Sequence, residues 1–308
     1  MKNKPIIIIP ADNKSVFFEI FFKSIKYKKF NSPLILICNN QKVKKQMEMF
    51  NIKKSIRLLK INELKKIKLD NTKINIIDVN DKDYLHKCFQ TAFMLIKNKF
   101  THKFINGPVN KKNFLKKKYQ GITEYIAEKF NCKKFGMLIY NENLSVSPLT
   151  THLPIKFVTK KINKKIIEEK IIIINNFFKN YLNIKPRIGV TGLNPHCETI
   201  DKFNEDEKIV SLAIKSSIKR KINVKGPYPA DTIFLKNNRK KFDVILGMYH
   251  DQVLTPAKTL FEYNAINITM GLPFLRVSPD HGPNENMYGK NKSNPLSLIK
   301  AIEFLDQR

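Results

Sequence analysis

Glycine is scarce in this sequence, ten among 308 residues, and no Gly-x-Gly-x-x-Gly string follows any apolar run. The Rossmann dinucleotide turn needs those glycines for its tight bend and for close backbone approach to a pyrophosphate, so that site is excluded and a nicotinamide cofactor would need another architecture. The four cysteines, Cys38, Cys88, Cys132 and Cys197, lie far apart and form no Cys-x-x-Cys pair, which rules out a disulfide framework and a zinc ribbon. Tryptophan is absent, and no apolar run approaches the ~20 residues of a membrane span. The run Ile6 to Ile9 is too short for the apolar region of a signal peptide, so a cytoplasmic protein without membrane attachment is expected. Acidic residues are few, 26 against 57 basic ones, for a net charge of +31. The lysines are scattered through nearly every loop and helix face beside an excess of Asn and Ile. That pattern reads as a solvated surface and not as a nucleic-acid footprint; steering of anionic substrates is what remains of it.

Histidine is also rare, six in all, yet three occupy similar settings: Thr150-Thr151-His152-Leu153-Pro154, Gly192-Leu193-Asn194-Pro195-His196 and Met248-Tyr249-His250-Asp251-Gln252. Each follows a short apolar run that reads as a strand, with Pro or polar residues to end it, so the imidazoles are expected at strand tips. Three neutral imidazoles bind zinc and similar ions and leave a coordination position open for a substrate oxygen, the mark of a catalytic site. Their spacing matches no local metal motif. His86, in an amphipathic helical stretch, and His102, in a Lys-rich approach to a strand, read as ordinary surface or core histidines. Cys197 reads as a bystander, because adjacent side chains diverge on extended backbone.

Strand-length apolar runs alternate with amphipathic stretches of helix length, so the chain reads as α/β. Strands are expected at 6–9, 34–38, 74–79, 103–106, 137–140, 187–191, 243–248 and 265–270. Helices are expected at 15–27, 84–99, 123–130, 163–181, 205–220 and 295–305, with Ser15 and Asn204 as capping residues. The expected division is residues 1–120 with about 280–308 as a first α/β domain, and about 121–279 as a second that carries the metal ligands.

Beyond His250 polar residues become dense: Lys258, Asn267 and Arg276, then Asp280-His281-Gly282 and Gly289 to Pro295. Such groups can clamp carboxylate and phosphate. With Gly107-Pro108-Val109-Asn110-Lys111, Gly121-Ile122-Thr123-Glu124, Pro229-Ala230-Asp231-Thr232, Asn267-Ile268-Thr269-Met270-Gly271-Leu272-Pro273 and the three histidine strings, the chain from Asn106 onward resembles the 4-hydroxythreonine-4-phosphate dehydrogenase family of pyridoxal phosphate biosynthesis. The stretch from His281 to Pro295 is similar to the cofactor loop of isocitrate and isopropylmalate dehydrogenases. The resemblance implies their two-domain fold with an active site in the interdomain cleft, and a homodimer whose sites lie at the subunit interface. It also implies a divalent ion on His152, His196 and His250, substrate contacts at Thr123, Lys258, Asn267 and Arg276, and catalytic roles for Asp231 and Lys258. His281, Gly282 and Asn294 would meet the cofactor, NAD or NADP. The implied reaction is oxidation of 4-phosphooxy-L-threonine, followed by loss of carbon dioxide to give 3-amino-2-oxopropyl phosphate. Zinc, cobalt, manganese and magnesium all suit the site, imidazole favouring the transition metals.

The chain departs from the family pattern at Pro10 to Ser15, where a Gly-rich turn is usual, at Pro283 to Asn286, and at Ile122, where the family has histidine. Ile122 keeps open a related substrate, such as a phosphothreonate or phosphoerythronate. A basic nucleic-acid-binding protein on a decayed enzyme scaffold is the remote alternative, and it leaves the three histidine motifs unexplained.

Overall fold

The computed structural model describes residues 3–10, 15–109, 114–115, 119, 121–200, 202–280, 282 and 284–308. In chain order its strands are β1 (Ile6–Ile9), β2 (Leu34–Cys38), β3 (Ile56–Leu58), β4 (Ile74–Asp78), β5 (Lys103–Asn106), β6 (Gly136–Tyr140), β7 (Ser145–Thr150), β8 (Ile188–Thr191), β9 (Val224–Tyr228), β10 (Val244–Tyr249), β11 (Ile266–Met270) and β12 (Leu275–Pro279). The helices that matter below are α1 (Phe17–Tyr27), α2 (Asn40–Met49), α3 (Tyr84–Lys97), α4 (Ile122–Lys129), α5 (Lys164–Phe177), α6 (Ser211–Lys219), α7 (Ala230–Ile233), α8 (His250–Phe261) and α9 (Leu296–Asp306). The chain divides into two compact units, Met1–Tyr125 with Pro273–Arg308, and Ile126–Leu272. No helix among the described residues is long and apolar enough to cross a membrane.

In the first unit the strands run β3-β4-β2-β1-β5-β12, and their pairings are parallel, with Ile6 opposite both Leu34 and Lys103. A parallel sheet covered on both faces calls for continuous apolar strands, which is why Ile6 to Ile9 and Leu34 to Cys38 are buried throughout. Helix α3 packs on β1 and β2, and α9 packs on β12, β1 and β5 and against α1. Phe89, Phe93 and Phe114 gather around Tyr125, whose ring stands 5.2 Å from Phe114, with Phe104 packed on Phe89 and Phe93, and this aromatic cluster anchors the first turn of α4. His86 stacks on Phe114 at 4.3 Å and bonds Asp83, a structural placement.

In the second unit the order is β11-β6-β7-β10-β8-β9. Strand β6 is antiparallel to β11 and β7, whereas β7, β10, β8 and β9 are mutually parallel. The carboxyl ends of those four strands therefore share one edge. Beneath that edge Val146, Ile245, Val253, Leu254 and Ile233 form a buried core with Phe242 and Ile139.

Four strands, β3, β7, β9 and β12, and several helices escape the periodicity reading; for β7, β9, α8 and α2 the reason is local. Strand β7 carries Pro148 in its interior, normally a sign against a central strand. Ser147 Oγ donates to Met137 O at 2.7 Å, keeping contact with β6 where Pro148 has no amide to give. Strand β9 contains Gly226-Pro227 and pairs with β8 alone, an edge position that tolerates proline. Helix α8 holds Pro256 in its interior, and α2 is too polar to show a face beyond Val43 and Met47. The expected caps are present: Ser15 Oγ accepts from Phe17 N at 3.2 Å and Asn204 Oδ1 from Asp206 N at 2.9 Å.

Candidate active site

The three singled-out histidines emerge from neighbouring parallel strands. His152 lies just past the end of β7, His196 in the turn Pro195–Cys197 that follows β8, and His250 opens α8 directly after β10. Because β10 lies between β7 and β8, the three tips are adjacent, at the carboxyl edge where open parallel sheets bind ligands. The rings of His152 and His250 stand 6.0 Å apart, centre to centre. Two imidazoles sharing one ion at about 2.1 Å from each nitrogen would have centres about 5 Å apart at a tetrahedral angle, so a small adjustment serves both. Among the described residues no three His, Cys, Asp or Glu side chains stand close enough to hold an ion, so the structure brings together His152 and His250 but not the full set.

The backbone at these tips is strained. His152, His196 and Cys197 have φ of 42°, 55° and 63°, a left-handed conformation that costs a non-glycine residue of order 1–3 kcal/mol and is held only when its surroundings over-determine it. The surroundings supply polar ties. Thr150 Oγ1 donates to Met248 O at 2.9 Å, linking the tips of β7 and β10. The Gln252 amide spans β10 and β8: Oε1 accepts from Met248 N and from Thr191 Oγ1, both at 2.7 Å, while Nε2 donates to Gly192 O at 2.8 Å. The carboxylate of Asp206, 1% exposed, accepts the amides of Leu193 at 2.6 Å and Asn194 at 3.0 Å, fixing the loop that leads to His196.

Two glycines make room for this knot. A Cβ on Gly192 would lie 2.6 Å from Cys197 Sγ, and one on Gly247 would lie 2.4 Å from Val253 Cγ1. His250 Nδ1 donates to Asp251 Oδ1 at 2.6 Å, which leaves the Nε2 lone pair for a ligand, the usual way a carboxylate orients a metal-binding imidazole. Burial pushes the Cys197 thiol up to about 11, with the carboxylates of Asp206, Asp231 and Glu198 adding to it, so the sulfur stays protonated and is a poor ligand.

Asp231 lies on α7, the turn of helix that follows β9 and packs against the His196 turn, and its side chain is exposed. Lys258 is exposed on α8, about two turns beyond His250. Asn267 lies on β11, and its Oδ1 is buried without a hydrogen-bond partner among the described residues, an acceptor left for a ligand donor.

The remaining sites belong to the first unit. Thr123 and Glu124 form the first turn of α4, and Arg276 lies on β12. Arg276 is 1% exposed and its Nε donates to Asn106 Oδ1 at 2.8 Å. Burial pulls its guanidinium down to about 10, partly offset by the charge of Glu124. Gly282 is exposed, and Asn294 Oδ1 accepts from Leu296 N at 2.9 Å, capping α9. His281 and Pro283 lie outside the described residues, as do 11–14 of the first loop and Asn110 and Lys111.

Sequence reasoning quoted Thr150, Glu124 and Gln252 inside motifs without giving them work, and none of its motifs reaches Asp206. For Thr150, Gln252 and Asp206 the signal is partnership with backbone groups distant in sequence, and for Glu124 it is the charge set near Arg276; no linear pattern displays either.

The structure is similar to the crystal structure of 4-hydroxythreonine-4-phosphate dehydrogenase from Klebsiella pneumoniae, with a TM-score of 0.85, 26% identity, and 99% and 98% of the two chains covered. Isocitrate dehydrogenase from Methylococcus capsulatus shares the fold at a TM-score of 0.50 and 10% identity, over 96% of this chain and 83% of that one. In sequence, 4-hydroxythreonine-4-phosphate dehydrogenase of Sulfurihydrogenibium sp. (strain YO3AOP1) is 32% identical over 97% of this chain and 96% of its own length. D-threonate 4-phosphate dehydrogenase of Pectobacterium atrosepticum is 32% identical over 76% of this chain and 73% of its own. With relatives so named over nearly its whole length, the chain is a dehydrogenase, an oxidoreductase. A family model described as pyridoxal phosphate biosynthetic protein PdxA matches residues 14–305, and the chain belongs to that family.

Proposed function

We propose that this chain oxidises the secondary alcohol of 4-phosphooxy-L-threonine with NAD, and that the resulting β-keto acid loses carbon dioxide to give 3-amino-2-oxopropyl phosphate. The observation that carries this reading is the placement of His152, His196 and His250 on three adjacent parallel strand tips, each held in register by polar ties. The donor set fits a divalent ion: imidazoles at exposed tips, one of them oriented by Asp251, with the Cys197 sulfur kept out. Such an ion supplies Lewis acidity, easing loss of the hydroxyl proton and stabilising negative charge on oxygen as carbon dioxide leaves.

The chain's own residues do the rest. Lys258 and Arg276 hold the phosphate and carboxylate, Thr123 and Asn267 orient the substrate, and Asp231 with Lys258 moves the hydroxyl proton. The cofactor loop from His281 through Gly282 to Asn294 holds NAD, with NADP as the other candidate. The work is done in the interdomain cleft of a cytoplasmic homodimer. Exposed apolar side chains follow two of the tips that carry the histidines, Ile155 and Phe157 after β7, Ile200 and Phe203 after β8, and Leu235 follows the adjoining β9. A second copy of the chain covering them would place the site at the subunit interface.

The test is NADH formation by metal-stripped protein supplied with 4-phosphooxy-L-threonine and NAD, before and after addition of zinc, cobalt, manganese or magnesium. Turnover restored by metal is expected. Absence of turnover with every metal counts against the substrate, and full turnover without metal counts against the histidine site.

A second reading is favoured by Ile122, on the first turn of α4 beside Thr123, where the family histidine would give the substrate a polar partner. Without it, a substrate such as 4-phospho-D-threonate or phosphoerythronate suits the site. A panel of these acids under the same assay separates the two, since the true substrate has the largest kcat/KM.

A further inference from the structure

We propose that Glu19 and Lys23 form a clamp that sets nicotinamide cofactor affinity without touching the cofactor, by fixing the backbone of the Asn291–Ser293 segment. The inference rests on the reading of residues 281–295 as the cofactor loop. That stretch contains only one short helical turn, Glu285–Met287, and no strand among its described residues, so it lacks the ladder bonds that would hold it. Asn284, Gly289 and Asn291 have φ of 52°, 75° and 53°, so its path depends on left-handed turns with little intrinsic preference for one route.

The restraint comes from one face of α1. Glu19, 2% exposed, accepts the amide of Ser293 at 2.6 Å through Oε1, and the same oxygen accepts Lys23 Nζ at 2.8 Å. Lys23 Nζ then donates to Ser293 O at 2.9 Å and Asn291 O at 3.0 Å. One ion pair between residues a helical turn apart thus satisfies three backbone groups of the loop, all by charge-assisted bonds. Farther back, Gln46 Nε2 donates to Tyr288 OH at 2.7 Å. The carboxylate bonds through Oε1: Glu19 Oε2 and Ser293 Oγ, both buried, have no hydrogen-bond partner among the described residues.

The segment delivers Asn294, exposed and assigned to the cofactor, into the cap of α9. A loop ordered before binding spares the cofactor the cost of ordering it, so loosening the clamp weakens binding while leaving the chemistry alone.

The test uses the full-length enzyme with Lys23→Met, Glu19→Gln and Lys23→Arg. Three measurements are made: NADH affinity by fluorescence titration, separate KM values for NAD and for the phosphorylated substrate, and hydrogen exchange of the Ser293 amide in cofactor-free protein. Lys23→Met is expected to weaken NADH binding and raise KM for NAD by about tenfold, the equivalent of one charge-assisted hydrogen bond. KM for the phosphorylated substrate and kcat at saturating NAD should stay within about twofold while Ser293 exchange accelerates; Lys23→Arg, which keeps the charge and the donors, should restore NADH affinity. Glu19 is buried and its variant can fail to fold; Lys23 is partly exposed, and a wild-type urea midpoint for Lys23→Met separates loss of the clamp from loss of the fold. Unchanged NADH affinity in Lys23→Met, or an equal rise in both KM values, overturns the clamp. Wild-type protein that binds neither NADH nor NADPH overturns the cofactor-loop reading itself, and the clamp with it.

Discussion

Replacing Gln252 by leucine keeps the side-chain volume nearly constant while deleting every polar tie between the tips of β10 and β8. Three bonds disappear: those from Met248 N and Thr191 Oγ1 to Oε1, and that from Nε2 to Gly192 O. The Thr191 hydroxyl can rotate to another acceptor, but Met248 N and Gly192 O belong to fixed, buried backbone. Each of these two orphaned buried groups costs about 1–3 kcal/mol, so Gln252→Leu should destabilise the metal-free protein by about 2–6 kcal/mol. That is a large part of the roughly 5–15 kcal/mol that holds a typical domain together. Because the same bonds hold the tips that carry His250 and His196, affinity for zinc or cobalt should fall about 10- to 100-fold, as for outer partners of metal ligands in general. Urea unfolding of the metal-free variant measures the first quantity, and competition titration with a chromophoric chelator measures the second. A variant that unfolds at the wild-type midpoint and keeps wild-type metal affinity would refute the argument that polar ties position the site.

His196→Ala should abolish metal-restored turnover with the urea midpoint of the metal-free protein unchanged, since the side chain is exposed; Cys197→Ala should leave turnover nearly intact, and alkylation of the wild-type thiol at pH 8 should be slow because the sulfur is protonated. Ile122→His should raise kcat/KM for 4-phosphooxy-L-threonine by up to about tenfold, the worth of one recovered polar contact; no gain there, beside strong wild-type activity on a phosphothreonate, favours the second substrate. Acid should destabilise the fold through Asp243 and Glu303. Burial pushes both carboxyls up, but the hydrogen bonds from Arg187 to Asp243, and from Lys28 and Lys300 to Glu303, outweigh it and hold each below its ordinary value. Both then contribute stability that is present above about pH 4, the unfolded carboxylate range, and is lost as pH falls through the lower folded values. Urea midpoints should be flat from about pH 7 to 5 and fall below about pH 4, and Asp243→Asn should lessen that acid-side fall.

Much of the α/β pattern was legible because β1 and β2 at the centre of the first unit are almost continuous runs of Ile and Leu, which no solvated helix carries. What escaped were elements whose sequence contradicts their place locally. Pro148 in β7, Gly226-Pro227 in β9 and Pro256 in α8 each signal a break, and each is accommodated by context: a Ser147 bond to β6, an edge position, packing of Val253 and Leu254 into the core. The histidine tips were legible for the opposite reason, since Pro and polar residues directly after an apolar run mark where a strand must end. That β10 lies between β7 and β8, making the three tips neighbours, is a fact of strand order that linear spacing does not contain.

The strong drift of this chain toward Ile, Lys and Asn bears on the core and the surface differently from the site. Isoleucine fills β1 and much of the buried strand interior, where a trimmed methyl group costs about 0.5–1.5 kcal/mol and the neighbours partly close the gap. Lysine covers exposed faces, where a single charge is worth little. The strand tips depend on neither, because they are held by specific atoms: Thr150 Oγ1, both ends of the Gln252 amide and the two oxygens of Asp206, each meeting a backbone group of the edge. An Ile→Val change in β1 should therefore lower stability without moving metal affinity, whereas loss of one polar tie should move both. On the proposed reading, stability and metal affinity should therefore be separable in the core and coupled at the edge, where specific polar ties and not composition keep the strand tips in place.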